Sequence, residues 1–199
     1  MGCEMQDKAL SVVVGLDFED YKFQFRRFMI LFPKAILRRV FGVSPRRIPE
    51  VMVVTPGGAG STTLIAHIGK FKSVNDCNDA DGLKHMLFPP RWLRSDSDVR
   101  VIFVDRSPDK IVASLERRGF LYEQLAKLGS IRGCLTSVPK ARLQMMAALD
   151  CQKQNWRDAK LKNVMYVEYD ELWQSTDRIA AFLGTTDVRF VSDFPRRLV

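Results

Sequence analysis

One stretch limits the fold more than any other: "VMVVTPGGAGSTTLIAHIG", residues 51–69. Five consecutive residues, Val51 to Thr55, are mostly β-branched, as expected of a strand covered on both faces. Gly57, Gly58 and Gly60 follow at once, and then a pattern with helical spacing from Ser61. A strand that turns this sharply into a helix is the first half of a βαβ unit. Two further buried-strand runs, "VRVIFVD" (99–105) and "NVMYVEY" (163–169), have the same character. Between them lie a helical pattern opened by Pro108, with Ile111, Val112 and Leu115 on one face, and another over 139–158 starting at Pro139. After the third strand, Asp170 is placed to cap a helix over "ELWQSTDRIAAFLG" that Gly184 ends. Strands alternate with helices, so the expected class is α/β, with a mostly parallel central sheet flanked by helices in three layers.

Charge divides the chain. The net charge is +8, with 31 basic and 23 acidic residues. Between Tyr21 and Pro49 stand eight basic residues and no acidic one, which leaves 23 of each sign elsewhere. The division is therefore a basic, aromatic segment, 1–49, ahead of an α/β domain, 50–199. In the segment, Ala35, Ile36, Leu37, Val40 and Phe41 can line one face of a short helix after Pro33, with Lys34, Arg38 and Arg39 opposite. Two readings stay open: a helix docked on the core, or a surface that meets an anionic membrane or another acidic partner. Its aromatics and the neutral remainder argue against nucleic acid. No apolar run reaches the roughly 18 to 20 residues that cross a bilayer, and the N-terminus lacks a signal-peptide layout. The expected location is cytoplasmic, with peripheral membrane attachment through residues 21–49 as the extension of that reading. Cys3, Cys77, Cys134 and Cys151 form no C-x-x-C pair, so neither a metal site nor a disulfide framework is expected. Oligomeric state has no signal in the sequence.

The glycine turn carries chemistry as well as shape. Amides of such a turn and of the first helical turn point at one spot, where the helix dipole adds positive charge. Gly57, Gly58, Ala59 and Gly60 form the turn, and Ser61, Thr62 and Thr63 add hydroxyls; the plainer reading is a tight connection. A nucleoside triphosphatase would place Lys before Ser/Thr here to neutralise phosphates, with the hydroxyl on magnesium. Gly60-Ser61-Thr62 has no such lysine, which points away from magnesium-dependent triphosphate hydrolysis. Beyond the second strand, Arg106 lies at an edge where a guanidinium suits a phosphate, and Ser114 follows eight residues later; the plainer reading is a surface arginine paired with Asp109 or Glu116.

These motifs together resemble the sulfotransferase family, whose members use 3′-phosphoadenosine-5′-phosphosulfate (PAPS). "TPGGAGSTTL" is similar to the family's strand-end Pro-Lys-Ser-Gly-Thr-Thr loop, which holds the 5′-phosphosulfate; Gly58 stands where the loop lysine would be. "VIFVDRSPDKIVAS" is similar to the strand-Arg to Ser motif, which implies that Arg106 and Ser114 hold the 3′-phosphate. "DGLKHMLFPPRWL" is similar to the Lys-Thr-His-Leu-Pro segment, which implies His85 as catalytic base and Lys84 as its neighbouring cation. "YVEYDELWQSTDRIAAFLG" resembles the Tyr-Glu-Asp-Leu segment and the helix after it. The family's C-terminal Arg-Lys-Gly loop has only Arg196 and Arg197 as loose counterparts. The resemblance covers residues 51–184 and implies a P-loop-like fold, PAPS as donor with PAP as product, no metal, and a small-molecule, glycan or lipid acceptor.

Sulfuryl transfer needs a cradle, a cation and a base. Loop 57–63 suits the cradle. Lys84 and Lys70 are both open as the cation. His85 suits the base, or is a loop histidine without a role; His67, inside the first helix, reads as a packed residue. Beside the sulfotransferase reading stand two others: a non-catalytic nucleotide-binding module of the same fold docked to a membrane or partner, and another P-loop-like transferase or kinase.

Overall fold

A computed structural model describes residues 47–57, 60–93, 97–130 and 136–195, together with Met29, Ile30, Phe32, Pro33 and Ile36. The helix expected after Pro33, most of the basic segment, Gly58, Ala59, Arg196 and Arg197 lie outside them.

The three β-branched runs form one parallel sheet, β1 (Val51–Val54), β2 (Arg100–Asp105) and β3 (Val164–Glu168), in that spatial order. Val51 pairs with Arg100 and Val54 with Phe103; Val101 pairs with Val164 and Asp105 with Glu168. Because side chains alternate along a strand, each run supplies both faces. Val51, Val53, Ile102, Val104, Met165 and Val167 pack on one side. There they meet α1 (Ser61–Ile68), α5 (Thr176–Leu183) and α6 (Val188–Ser192) through Leu64, Ile65, Ile179, Leu183 and Phe190. Met52, Val54, Val101 and Phe103 face the other way, against Leu83, Met86 and Trp156. Trp156 belongs to the long helix α4 (Val138–Asp158), which begins with Pro139 in its first turn, as the sequence indicates. The other side of α4 packs on α2 (Pro108–Arg117) and α3 (Leu121–Lys127) around Met145, Leu115 and Leu125. The chain is thus α/β, with helices over both faces of a small parallel sheet. Among the described residues no helix is long and apolar enough to cross a membrane.

Two expectations need correcting. Asp170 does not cap a continuous helix: Tyr169–Gln174 is a 3₁₀ turn, and α5 begins only at Thr176. The Ser175 N–H closes the 3₁₀ turn on the Leu172 carbonyl, and the Ser175 carbonyl starts α5 by accepting from Ile179. Asp170 is instead committed to Lys110, 3.0 Å away. The break lets buried Leu172 join Ile179 and Leu183 in one core. Gly184 ends the helix in the left-handed region, φ 60°, as expected. The second correction is α3, which the sequence reading passed over.

The outer edge of β1 is covered by an irregular segment rather than a strand. Val51 donates to the Ser73 carbonyl and bridges to Val74. At Val53 the Asn75 side chain stands in for a peptide: its Oδ1 accepts from the Val53 N–H at 2.7 Å and its Nδ2 donates to the Val53 carbonyl at 3.1 Å. One step further, the Thr55 N–H donates to the Lys84 carbonyl at 2.9 Å. The chain from 73 to 85 therefore runs along β1 towards its carboxyl end.

Candidate functional site

The edge segment delivers Lys84 and His85 to the point where β1 enters the glycine turn. His85 is 6 % exposed, and its Nδ1 lies 2.8 Å from the Thr55 carbonyl oxygen. A carbonyl only accepts, so Nδ1 carries the proton and Nε2 keeps the lone pair. Burial pushes the imidazole from its ordinary 6.5 down to about 4; Asp79 and the Thr55 bond oppose this, and Lys127 and Lys84 reinforce it. His85 is therefore neutral at physiological pH, with one nitrogen fixed as donor and the other unprotonated.

Lys84 is equally buried. Its Nζ donates to Thr62 Oγ1 at 2.8 Å and to the Cys77 carbonyl at 2.7 Å. Burial lowers its pKa below the ordinary lysine value, with Asp79 opposing. Asp79 also accepts the Lys84 backbone N–H through Oδ1, at 2.9 Å. From behind, α4 holds the following residues: Gln152 and Trp156 both donate to the Met86 carbonyl, and Asn155 to that of Leu87.

The glycine turn is shaped by contacts that a side chain would obstruct. Gly57 has φ 98°, and a Cβ there would lie 2.9 Å from Gln124 Cδ. Gln124, on α3, donates to the Pro56 carbonyl at 3.0 Å, which ties that helix to the turn. Gly60 has φ 61°, and its Cβ would lie 2.8 Å from the Tyr169 ring. Only glycine takes both the left-handed backbone and the close approach without strain.

Between these parts is a cavity of about 300 Å³. Gly57, Gly60, Ser61 and Thr62 line one wall, and Lys84 and His85 a second. Leu115 and Arg118 come from the end of α2, and Phe120, Glu123, Gln124 and Lys127 from α3. First-turn amides of a helix have no intrahelical partner, so the start of α1 adds donors to the hydroxyls of Ser61 and Thr62. The cavity combines a glycine cradle, ammonium groups and a neutral imidazole, which suits an oxyanion with a hydroxyl to be deprotonated beside it.

The structure brings together six of the sequence-predicted residues here: Gly57, Gly60, Ser61, Thr62, Lys84 and His85. Thr63 is exposed and lies off the lining. Arg106 and Ser114 also lie off it. The Arg106 guanidinium stacks 4.5 Å over the Tyr169 ring, which packs edge-on against Trp173. Tyr169 and Trp173 abut Gly60, so Arg106 is linked to the turn through the Tyr169 ring. Ser114 sits partly buried on α2, its carbonyl accepting from Arg118. Of the two lysines left open as the cation, Lys70 is exposed beyond the C-terminal end of α1 and only Lys84 lines the cavity. His67 is packed among Phe71, Phe190 and Phe194, its Nε2 donating to the Phe190 carbonyl at 2.8 Å.

Sequence reasoning missed the fourth wall. Phe120, Glu123, Gln124 and Lys127 recur at helical spacing, with Leu121, Tyr122, Leu125 and Leu128 buried on the other side. Gly119 and Gly129, both at positive φ, punctuate the two ends. That period was the available signal. No family model, curated protein or solved structure matches the chain.

Proposed function

We propose that the protein is a PAPS-dependent sulfotransferase of P-loop-like fold, acting on a hydroxyl or amine acceptor. The observation that carries the reading is His85, a neutral imidazole whose Nδ1 is committed to Thr55, set beside Lys84 in a cavity floored by the glycine turn. The donor set fits the 5′-phosphosulfate. The turn leaves room where a Cβ would intrude, and the Ser61 and Thr62 hydroxyls line the same cavity as the Lys84 and Lys127 ammonium groups. PAPS, when bound, would supply the sulfuryl group: its bond to the 5′-phosphate oxygen would break as the acceptor oxygen or nitrogen bonds to sulfur, and the electron pair would leave with the phosphate.

His85 Nε2 takes the acceptor's proton, and Thr55 holds the ring in the tautomer that permits this. Lys84, fixed by Thr62 and the Cys77 carbonyl, balances charge growing on the leaving phosphate; one such donor is commonly worth about 10²–10³ in rate. Ser61 and Thr62 orient the sulfuryl oxygens. Arg106 and Ser114 do not line the cavity; in this reading they hold the 3′-phosphate, which is at the far end of the nucleotide from the reacting bond.

Calorimetric titration with adenosine 3′,5′-bisphosphate tests the reading. Wild-type protein is expected to bind it, and Arg106→Ala to bind about 10- to 100-fold more weakly, from a lost charge-assisted contact. No binding to the wild type overturns the proposal. Binding without transfer to any acceptor assigns the alternative, a non-catalytic nucleotide-binding module.

A further inference from the structure

Lys127 lines the cavity from α3. It lies on α3 three residues beyond Gln124, and positions three apart on a helix share a face. Gln124 is bonded to the Pro56 carbonyl and touches the position a Gly57 Cβ would take, so the face that bears Lys127 is held against the turn. Both residues line the cavity. The ammonium lies 3.9 Å from Asp79 Oδ2 and 3.7 Å from Glu123 Oε1. Asp79 also fixes the backbone N–H of Lys84, so one buried carboxylate organises both lysines. Of the residues that line the cavity, Lys84, Lys127 and Arg118 are basic and Glu123 is acidic; with Asp79 buried behind the lysines, the excess is one positive charge.

We infer that Lys127, reaching in from α3, is the cation that serves in place of the lysine absent from the glycine turn, and that with Lys84 it brackets a ligand carrying two linked oxyanions. The class is a phosphosulfate or a pyrophosphate, whose two linked oxyanions match the two lysines that line the cavity. The assignment rests on the anion-site part of the proposed function but not on the nucleotide. In that reaction Lys127 is a binding group for the phosphosulfate, and His85 remains the base.

Titration with inorganic pyrophosphate tests it, with adenosine 3′,5′-bisphosphate run in parallel. Lys127→Gln should weaken pyrophosphate binding about 10- to 100-fold and flatten its dependence on ionic strength, because one charge is gone. Glu123→Gln removes the competing carboxylate from a half-buried position and should tighten pyrophosphate several-fold. That variant keeps the test decisive if Lys127→Gln folds poorly. Pyrophosphate affinity unchanged in Lys127→Gln, or unchanged or weaker in Glu123→Gln, overturns the inference, as does no pyrophosphate binding by the wild type. Lys127-dependent pyrophosphate binding without binding of the adenosine bisphosphate upholds the lysine pair and overturns the PAPS reading alone.

Discussion

Acidification should destabilise this fold through one imidazole, and the size of the effect follows from where His85 sits. In the unfolded chain the ring takes a proton near its ordinary 6.5; in the fold, burial delays this to about 4. Between those values the unfolded state holds more protons than the folded one, so stability falls as pH falls. The penalty is near zero at pH 7, about 2 kcal/mol at pH 5 and about 3 kcal/mol by pH 4, since each tenfold change in proton affinity is worth about 1.4 kcal/mol. His85→Asn is the informative perturbation, because the Asn amide can still donate to the Thr55 carbonyl but does not titrate. Urea denaturation at half-unit steps from pH 7 to pH 4 gives the unfolding free energy of both proteins. Every other group titrates in both, so their difference isolates His85. The wild type should lose about 2 kcal/mol more than the variant between pH 7 and pH 5. Parallel curves would refute the reasoning. If the protein transfers sulfuryl groups, the same ring sets the acid limb of kcat/KM well below pH 6.5, and His85→Asn lowers the rate by about 10²–10⁴.

Two further outcomes test the supports of the site. Trp156→Phe keeps the buried ring but removes the Nε1 donor to Met86; Gln152 still serves that carbonyl, so a loss of about 1–2 kcal/mol in urea unfolding is expected. Gly60→Ala puts a Cβ against Tyr169 at a left-handed position and should cost about 1–3 kcal/mol, with a shift in Trp173 fluorescence as the Tyr169–Trp173 pair moves.

The parts of the fold that were legible in the sequence are those with a local cause. β-branched runs covered on both faces announced all three strands within a residue or two, and Pro108, Pro139 and Gly184 marked helix ends because their backbone limits act wherever they stand. The split at Ser175 was not legible, because it depends on Leu172 being drawn into a core built from distant strands. The gathering of Lys84 and His85 at the glycine turn was legible only through a resemblance. Its physical basis, Asn75 imitating a peptide and Thr55 bonded on both sides, joins residues 22 to 30 apart that no periodicity connects. Lys127 was harder still: its helix had a readable period, but nothing local says that Gln124 would reach the Pro56 carbonyl.

The segment that covers the outer edge of β1 has a consequence for how the protein fails. An uncovered strand edge is a template for pairing with another chain. Here residues 73–85 shield that edge, and the same residues carry Lys84 and His85. Opening this flap would expose a sticky strand and dismantle the cavity in a single event. Loss of ligand binding and the onset of aggregation are thus coupled, and a molecule seated against Lys84 would protect the protein from both.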